Sequence, residues 1–240
     1  MSSDAKNRYG ATVVRAEAAI DEGLRQYMLR VYNYMSSGLA LTGLVAWLIS
    51  TSPMALQVIY GNSVLMWVVL LAPLGFVLFL SARINHMSAS TAQTVFWVYS
   101  GVMGLSLAWI FLAFTGASIA RVFFITASLF AAMSLYGYTT KRDLTAIGSF
   151  LFMGLIGVVI ASVVNIFIAS TALQFAVSVI GVIVFTGLTA YDTQSIKEMY
   201  VESDSGELAG KKAVMGALRL YLDFINLFLL MLRFLGQQRQ

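Results

Sequence analysis

Cysteine is absent from the chain, which removes disulfides, thiolate metal sites and cysteine nucleophiles together. A single histidine, His86, rules out any histidine-built metal cluster or triad of histidines. Two prolines in 240 residues leave long stretches where nothing interrupts a helix. Charge is scarce as well: 11% of residues are Asp, Glu, Lys or Arg, against roughly 25% in soluble domains. The net charge of +4 is not a nucleic-acid footprint, because its placement in loops accounts for it. The first 30 residues are polar and mixed in charge and lack the short apolar core of a secretory signal.

What is present is apolar sequence in blocks. Hydrophobic residues make up 59% of the chain and mean hydropathy is +0.82. About 20 apolar residues cross roughly 30 Å of hydrocarbon as a helix. Seven segments qualify, at 31–51, 64–82, 93–114, 120–138, 144–168, 173–194 and 213–235. Their apolar residues run continuously rather than alternating, which excludes a transmembrane barrel. The expected architecture is an all-α integral membrane protein, a seven-helix bundle over residues 31–240, preceded by a cytoplasmic segment over 1–30. Within 13–30, Val13, Ile20, Leu24 and Tyr27 recur at near-helical spacing among charges and lead to Val31, the pattern of a helix lying on the membrane surface.

Lysine and arginine collect on the cytoplasmic side of membrane proteins. Here Lys6, Arg8, Arg15, Arg25 and Arg30 precede the first span. Arg83 follows the second, Lys141 and Arg142 follow the fourth, and Lys197, Lys211 and Lys212 lie between the last two. The opposite connectors, near 52–63, 115–119 and 169–172, carry no charge. The N-terminus is therefore expected inside and the C-terminus outside. Arg121 and Arg233 fall near the outer side. A re-entrant last span would return Arg233 and Arg239 to the cytoplasm, but 213–235 is long enough to cross.

Within the last two spans sit Asp192 and Asp223. A carboxylate in hydrocarbon costs roughly 2.5–3.5 kcal/mol on insertion scales, so such groups face a bundle interior, a watery cavity or one another. At 100° per residue Thr189 and Ser195 flank Asp192 by about 60° on either side. On the same sixth span Gly181, Gly187 and Ala190 admit a close neighbour, while Gly216, Arg219, Asp223 and Asn226 share one face of the last span. The two acids lie at compatible depths in antiparallel helices. Two carboxyls within hydrogen-bond reach cannot easily both ionise and share one proton. That makes a switch: protonated, the pair bridges the helices; deprotonated, it repels and offers hard oxygens to Ca²⁺. The plain alternative is that Arg219, four residues before Asp223, neutralises it, and that Asp192 is hydrated.

Phe185-Thr186-Gly187-Leu188-Thr189-Ala190-Tyr191-Asp192-Thr193-Gln194 resembles the signature of the Bax inhibitor-1 family, the transmembrane Bax-inhibitor-motif proteins, in their proteobacterial branch. Gly104-Leu105-Ser106-Leu107, the run Ser134 to Leu144 and Ile160 to Asn165 support the likeness, which extends from about residue 20 to the C-terminus. The resemblance implies a seven-helix fold with the last helix central and a pH-sensitive Ca²⁺ leak whose sensor is the aspartate pair. It implies that Arg83 latches to that pair in the closed form. Residues 64–82 contain no acid, so the partner some members provide for the basic residue near the end of the last helix is missing for Arg233.

The expected function is a calcium leak channel or Ca²⁺/H⁺ exchanger of the inner membrane. Asp192 and Asp223 form its sensor and its Ca²⁺ ligands, Arg83 and Arg219 are charge partners, and Thr189, Ser195 and Asn226 line the pathway. No cofactor and no enzymatic activity are expected. An intramembrane aspartyl protease would share Tyr191-Asp192, but its second motif, Gly-x-Gly-Asp, is replaced by Leu220-Tyr221-Leu222-Asp223. The partners are the lipid bilayer, Ca²⁺ and H⁺. The resemblance also raises an alternative: a regulator that contacts a membrane-bound AAA protease or a stress pathway without conducting ions. Asn165 reads as interhelical glue, His86 as solvent-facing, and Glu198, Glu202, Asp204 and Glu207 as a solvated loop.

Overall fold

The computed structural model describes the backbone of residues 3–239 and the side chains of residues 21–239. The described residues are helical: α1 (Ser3–Ser50), α2 (Pro53–Tyr60), α3 (Ser63–Arg83), α4 (Ala89–Leu107), α5 (Ile110–Ala113), α6 (Gly116–Thr139), α7 (Thr145–Ile168), α8 (Thr171–Glu198) and α9 (Gly206–Leu235). A single 3-10 turn, Ile84–His86, links α3 to α4. Six helices, α3, α4 with α5, and α6 to α9, are each long and apolar enough to cross a membrane. The protein is thus an all-α, polytopic membrane protein.

The first expected span is the least regular. Asn33, Tyr34, Ser36 and Ser37 dilute its hydropathy, so α1 meets the criterion only together with α2, from which it is bent by 97°. The bend has a local cause. Pro53 opens α2 and has no amide to donate, while Ser52 stays extended and caps the new helix by accepting from the Ala55 amide at 3.3 Å. The stretch 53–60, read from sequence as part of a connector, is therefore helical. Of the surface helix expected over 13–30, the side chains of 13–20 lie outside the described residues. From Asp21 onward α1 continues unbroken, burying Tyr27, Met28 and Val31.

Small polar caps set the other boundaries. Asn62, Ser88, Thr115, Ser170 and Ser205 each accept an amide from the first turn of the helix that follows. The cap at Ser205 starts α9 at Gly206, seven residues before the apolar stretch, so Lys211 and Lys212 are helical rather than loop. At the other end of α7, Ala169 takes a left-handed turn (φ 51°), held by the Asn165 carboxamide, which accepts the Ser170 amide at 3.0 Å. Asn165 thus ties its own turn and is not a bridge between helices.

α9 packs against α1, α4, α6 and α8, and 67% of its most apolar stretch is buried, against 6–50% for the other spanning helices. It runs without a break for 30 residues. Near its start Glu207 accepts the Ala89 amide at the head of α4 at 2.6 Å. Beyond its end, the Gln237 carbonyl accepts the Thr115 amide (3.1 Å) and the Arg239 amide donates to Ala113 (2.9 Å). The connector 84–88 and the connector 113–118 thus meet opposite ends of α9, which traverses the bundle and does not turn back.

Candidate aspartate-pair site

α8 and α9 are antiparallel neighbours joined by residues 199–205. Asp192 lies six residues before the end of α8 at Glu198, and Asp223 lies seventeen after the start of α9 at Gly206. The first turns of α9 project beyond the end of α8, and the loop returns alongside them. Lys212 holds that return, donating to the Met199 carbonyl at 2.9 Å and pairing with Asp204 at 2.5 Å. Ile196 packs against Gly216 at the crossing. With this register Asp192 and Asp223 are close neighbours across the α8–α9 contact, each carboxyl acting on the other.

The two acids are not equivalent. Asp223 is buried at 5% exposure, and its Oδ2 has no hydrogen-bond partner among the described residues; Asp192 is half-buried. Arg219, one turn from Asp223 along α9, acts electrostatically on both, yet its own side chain is exposed and it makes no ion pair among the described residues. Neutralisation of Asp223 by direct contact with Arg219 is thus not what the structure holds. Arg83 is exposed at the end of α3 and is not among the groups acting on the pair.

The flanking polar residues divide their work. Thr189 is buried and donates to the Phe185 carbonyl at 2.8 Å, a bond inside α8 itself. Ser195 is half-buried. Asn226 donates to the Leu222 carbonyl at 2.9 Å and lines a cavity of about 740 Å³ at the far end of α9, with Asn165, Gln174, Arg233 and Gln238. No group of three or more acidic, histidine or cysteine side chains comes together among the described residues. Ca²⁺ takes six to eight oxygens in a resident site, so two carboxylates alone fall well short of one.

Residues not singled out from sequence hold the pair in place. Gly137 brings α6 against the Ala190 backbone, and Gly148 brings α7 against the Tyr191 ring; a methyl at either would sit within 2.1–2.4 Å of an existing atom. Thr193 joins α8 to α6 through Ser134 at 2.9 Å, and Ser134 in turn bonds Tyr32 of α1. Gln194 is buried and clamps the connector before α7: its carbonyl accepts the Leu144 amide and its amide donates to the Arg142 carbonyl, both at 2.8 Å. Lys197 reaches the Tyr138 carbonyl at 2.9 Å. The acidic connector is likewise structural where Asp204 and Glu207 are concerned. Gln194 and Gly137 lie inside the segments that carried the family resemblance, which was the available signal.

A sequence profile described as "Inhibitor of apoptosis-promoting Bax1" matches residues 24–240. The chain belongs to the Bax inhibitor-1 family. Among its relatives in that family, the RP147 protein of Rickettsia prowazekii is 50% identical over 232 residues, 95% of this chain and 96% of the relative. The Escherichia coli inner membrane protein YbhL is 49% identical over 219 residues, 90% and 94% of the two chains. A Caulobacter vibrioides protein is 42% identical over 240 residues, 94% of each. The aspartate pair thus lies well inside the matched region.

Proposed function

We propose that this Bax inhibitor-1 family protein is a pH-sensitive calcium leak, a channel or Ca²⁺/H⁺ exchanger, of the bacterial inner membrane. The observation that carries the reading is the meeting of Asp192 and Asp223 between α8 and α9, one carboxylate oxygen buried without a partner. A buried acid with an unmet hydrogen bond is costly in a structural role, and acids inside membrane bundles mark ion and proton routes. In the closed form the pair holds one proton and ties α8 to α9. Loss of that proton sets two like charges against each other, parts the helices and presents oxygens to Ca²⁺, with Asn226 and the outer cavity continuing the path. Seven crossings packed around α9 serve this, α1 and α2 together making the first. The lysines and arginines at the α3–α4, α6–α7 and α8–α9 connectors set that face in the cytoplasm. The inner-membrane assignment follows the printed name of YbhL. The protein acts without covalent chemistry.

The test is Ca²⁺ flux into liposomes compared between about pH 6 and 8, because two carboxyls that share a proton titrate together as a pair. Wild type is compared with Asp192→Asn and Asp223→Asn. Flux that rises with pH in wild type and is flat in both variants supports the pair as sensor. Unchanged profiles in both variants overturn it. Absence of flux at every pH favours instead the regulatory role, contact with a membrane-bound AAA protease without conduction.

A further inference from the structure

α1 and α6 both pack on α9 but scarcely on each other. Between them runs a groove of about 830 Å³, within the size range of ligand pockets. Its floor is Phe224 of α9; its walls include Ala40 and Gly43 from α1 and Ala127 and Ala131 from α6. From Arg25 to Leu44 the groove follows about 28 Å of α1 at 1.5 Å per residue, close to the full hydrocarbon thickness of about 30 Å. The walls are mostly apolar, with hydroxyls from Tyr32, Ser36 and Ser134. Tyr32 and Ser134 bond each other, and Ser134 also bonds Thr193, so these two are satisfied without water.

The end of the groove is basic. Arg25 lines it beside Tyr138, and the Lys197 ammonium lies 5.2 Å from the centre of the Tyr138 ring. Arg25 is bonded to Glu22 only through an exposed contact at 3.3 Å, the kind of surface pair that contributes little and yields to a competing anion. A mostly apolar channel of membrane depth, with cations at one mouth, has the chemistry of a phospholipid.

We infer that the groove between α1 and α6 binds one bilayer phospholipid of anionic headgroup, its phosphate at Arg25 and an acyl chain along Ala131 and Gly43 over Phe224. The lipid then touches the neighbours of both aspartates: Phe224 follows Asp223, and Ser134 is bonded to Thr193, which follows Asp192. Its occupancy is read here as binding, independent of whether the protein conducts.

The experiment is native mass spectrometry of the full chain released from detergent, titrated with phosphatidylglycerol and, separately, phosphatidylcholine. Wild type should retain one phosphatidylglycerol in preference to phosphatidylcholine. Ala131→Phe puts a ring in the groove; displacing two methylenes of chain already corresponds to about tenfold weaker retention. Arg25→Gln should erase the headgroup preference while leaving the chain-dependent binding. Both positions are exposed, and an unchanged circular dichroism spectrum shows that each variant folds. Retention unchanged in both variants overturns the site. A dimer mass lost in Ala131→Phe also overturns it, because a second copy and not a lipid then fills the groove.

Discussion

A methyl group at Gly137 is a sharp probe of how the site is held. Built on the existing backbone it would lie 2.1 Å from the Ala190 carbonyl oxygen and 2.9 Å from its carbon and Cα. The obstacle is backbone on a packed helix, so no rotamer change relieves it. α6 and α8 must part by about 1 Å to restore an ordinary contact. That movement strains the Ser134–Thr193 bond three residues along each helix and shifts Asp192 two residues from the collision. Overpacking of this kind costs about 1–3 kcal/mol, or about 2–4 °C in melting temperature per kcal/mol for a chain of this size. The control is Gly157→Ala on the exposed side of α7, where an added methyl meets nothing within 4 Å and where alanine favours helix by up to about 1 kcal/mol. In detergent micelles, Gly137→Ala should melt several degrees below wild type, and Gly157→Ala should melt at or above it. Equal melting of Gly137→Ala and wild type would refute the claim that close α6–α8 approach sets the position of Asp192.

Other substitutions test neighbouring parts of the same frame. Gln194→Leu removes both bonds to the connector at Arg142 and Leu144 and leaves a buried amide unmatched, at about 1–3 kcal/mol; amide exchange of residues 142–145 should accelerate while the far end of α7 is unchanged. Thr42 donates within a buried cluster to Gly38 and Ser100 and meets the Tyr221 hydroxyl at 2.6 Å, so Thr42→Val should cost about 1–3 kcal/mol by stranding the Tyr221 hydroxyl, and Tyr221→Phe in that background should recover part of the loss. Asp143 accepts from Thr145, side chain and amide, which holds its carboxyl below the ordinary range. A depressed folded value means the bond is fully present at neutral pH and is lost only as pH falls below the ordinary carboxylate value of about 4. Thr145 amide protection should therefore fall in acid in wild type and stay flat in Asp143→Asn.

Reading hydropathy along the chain was enough to establish an all-helical membrane protein and to place six spans to within a few residues at most boundaries. The transfer of each apolar side chain into lipid is a local quantity that adds along the helix. The acids stood out for the same reason, since each is an expensive exception in its own segment. Where local sums fail, the boundaries moved. Pro53 and the Ser52 cap turn a connector into α2, and the Ser205 cap starts α9 two turns early; both depend on a few side-chain bonds that hydropathy does not weigh.

What only the tertiary structure decided is contact across helices. Sequence placed Asp192 and Asp223 at compatible depths within a full turn of uncertainty, whereas their facing each other depends on the α8–α9 register held by Lys212, Asp204 and Gly216. Spacing gave Arg219 as a neighbour of Asp223, and the family resemblance implied Arg83 as a closed-form latch; in this structure Arg219 acts on the pair and Arg83 stands exposed at the end of α3. The groove between α1 and α6 is a gap between helices that each satisfy another partner. No segment encodes it alone: pairing among helices is settled by shape and close approach at scattered small residues, and those distances exist only once the bundle has formed.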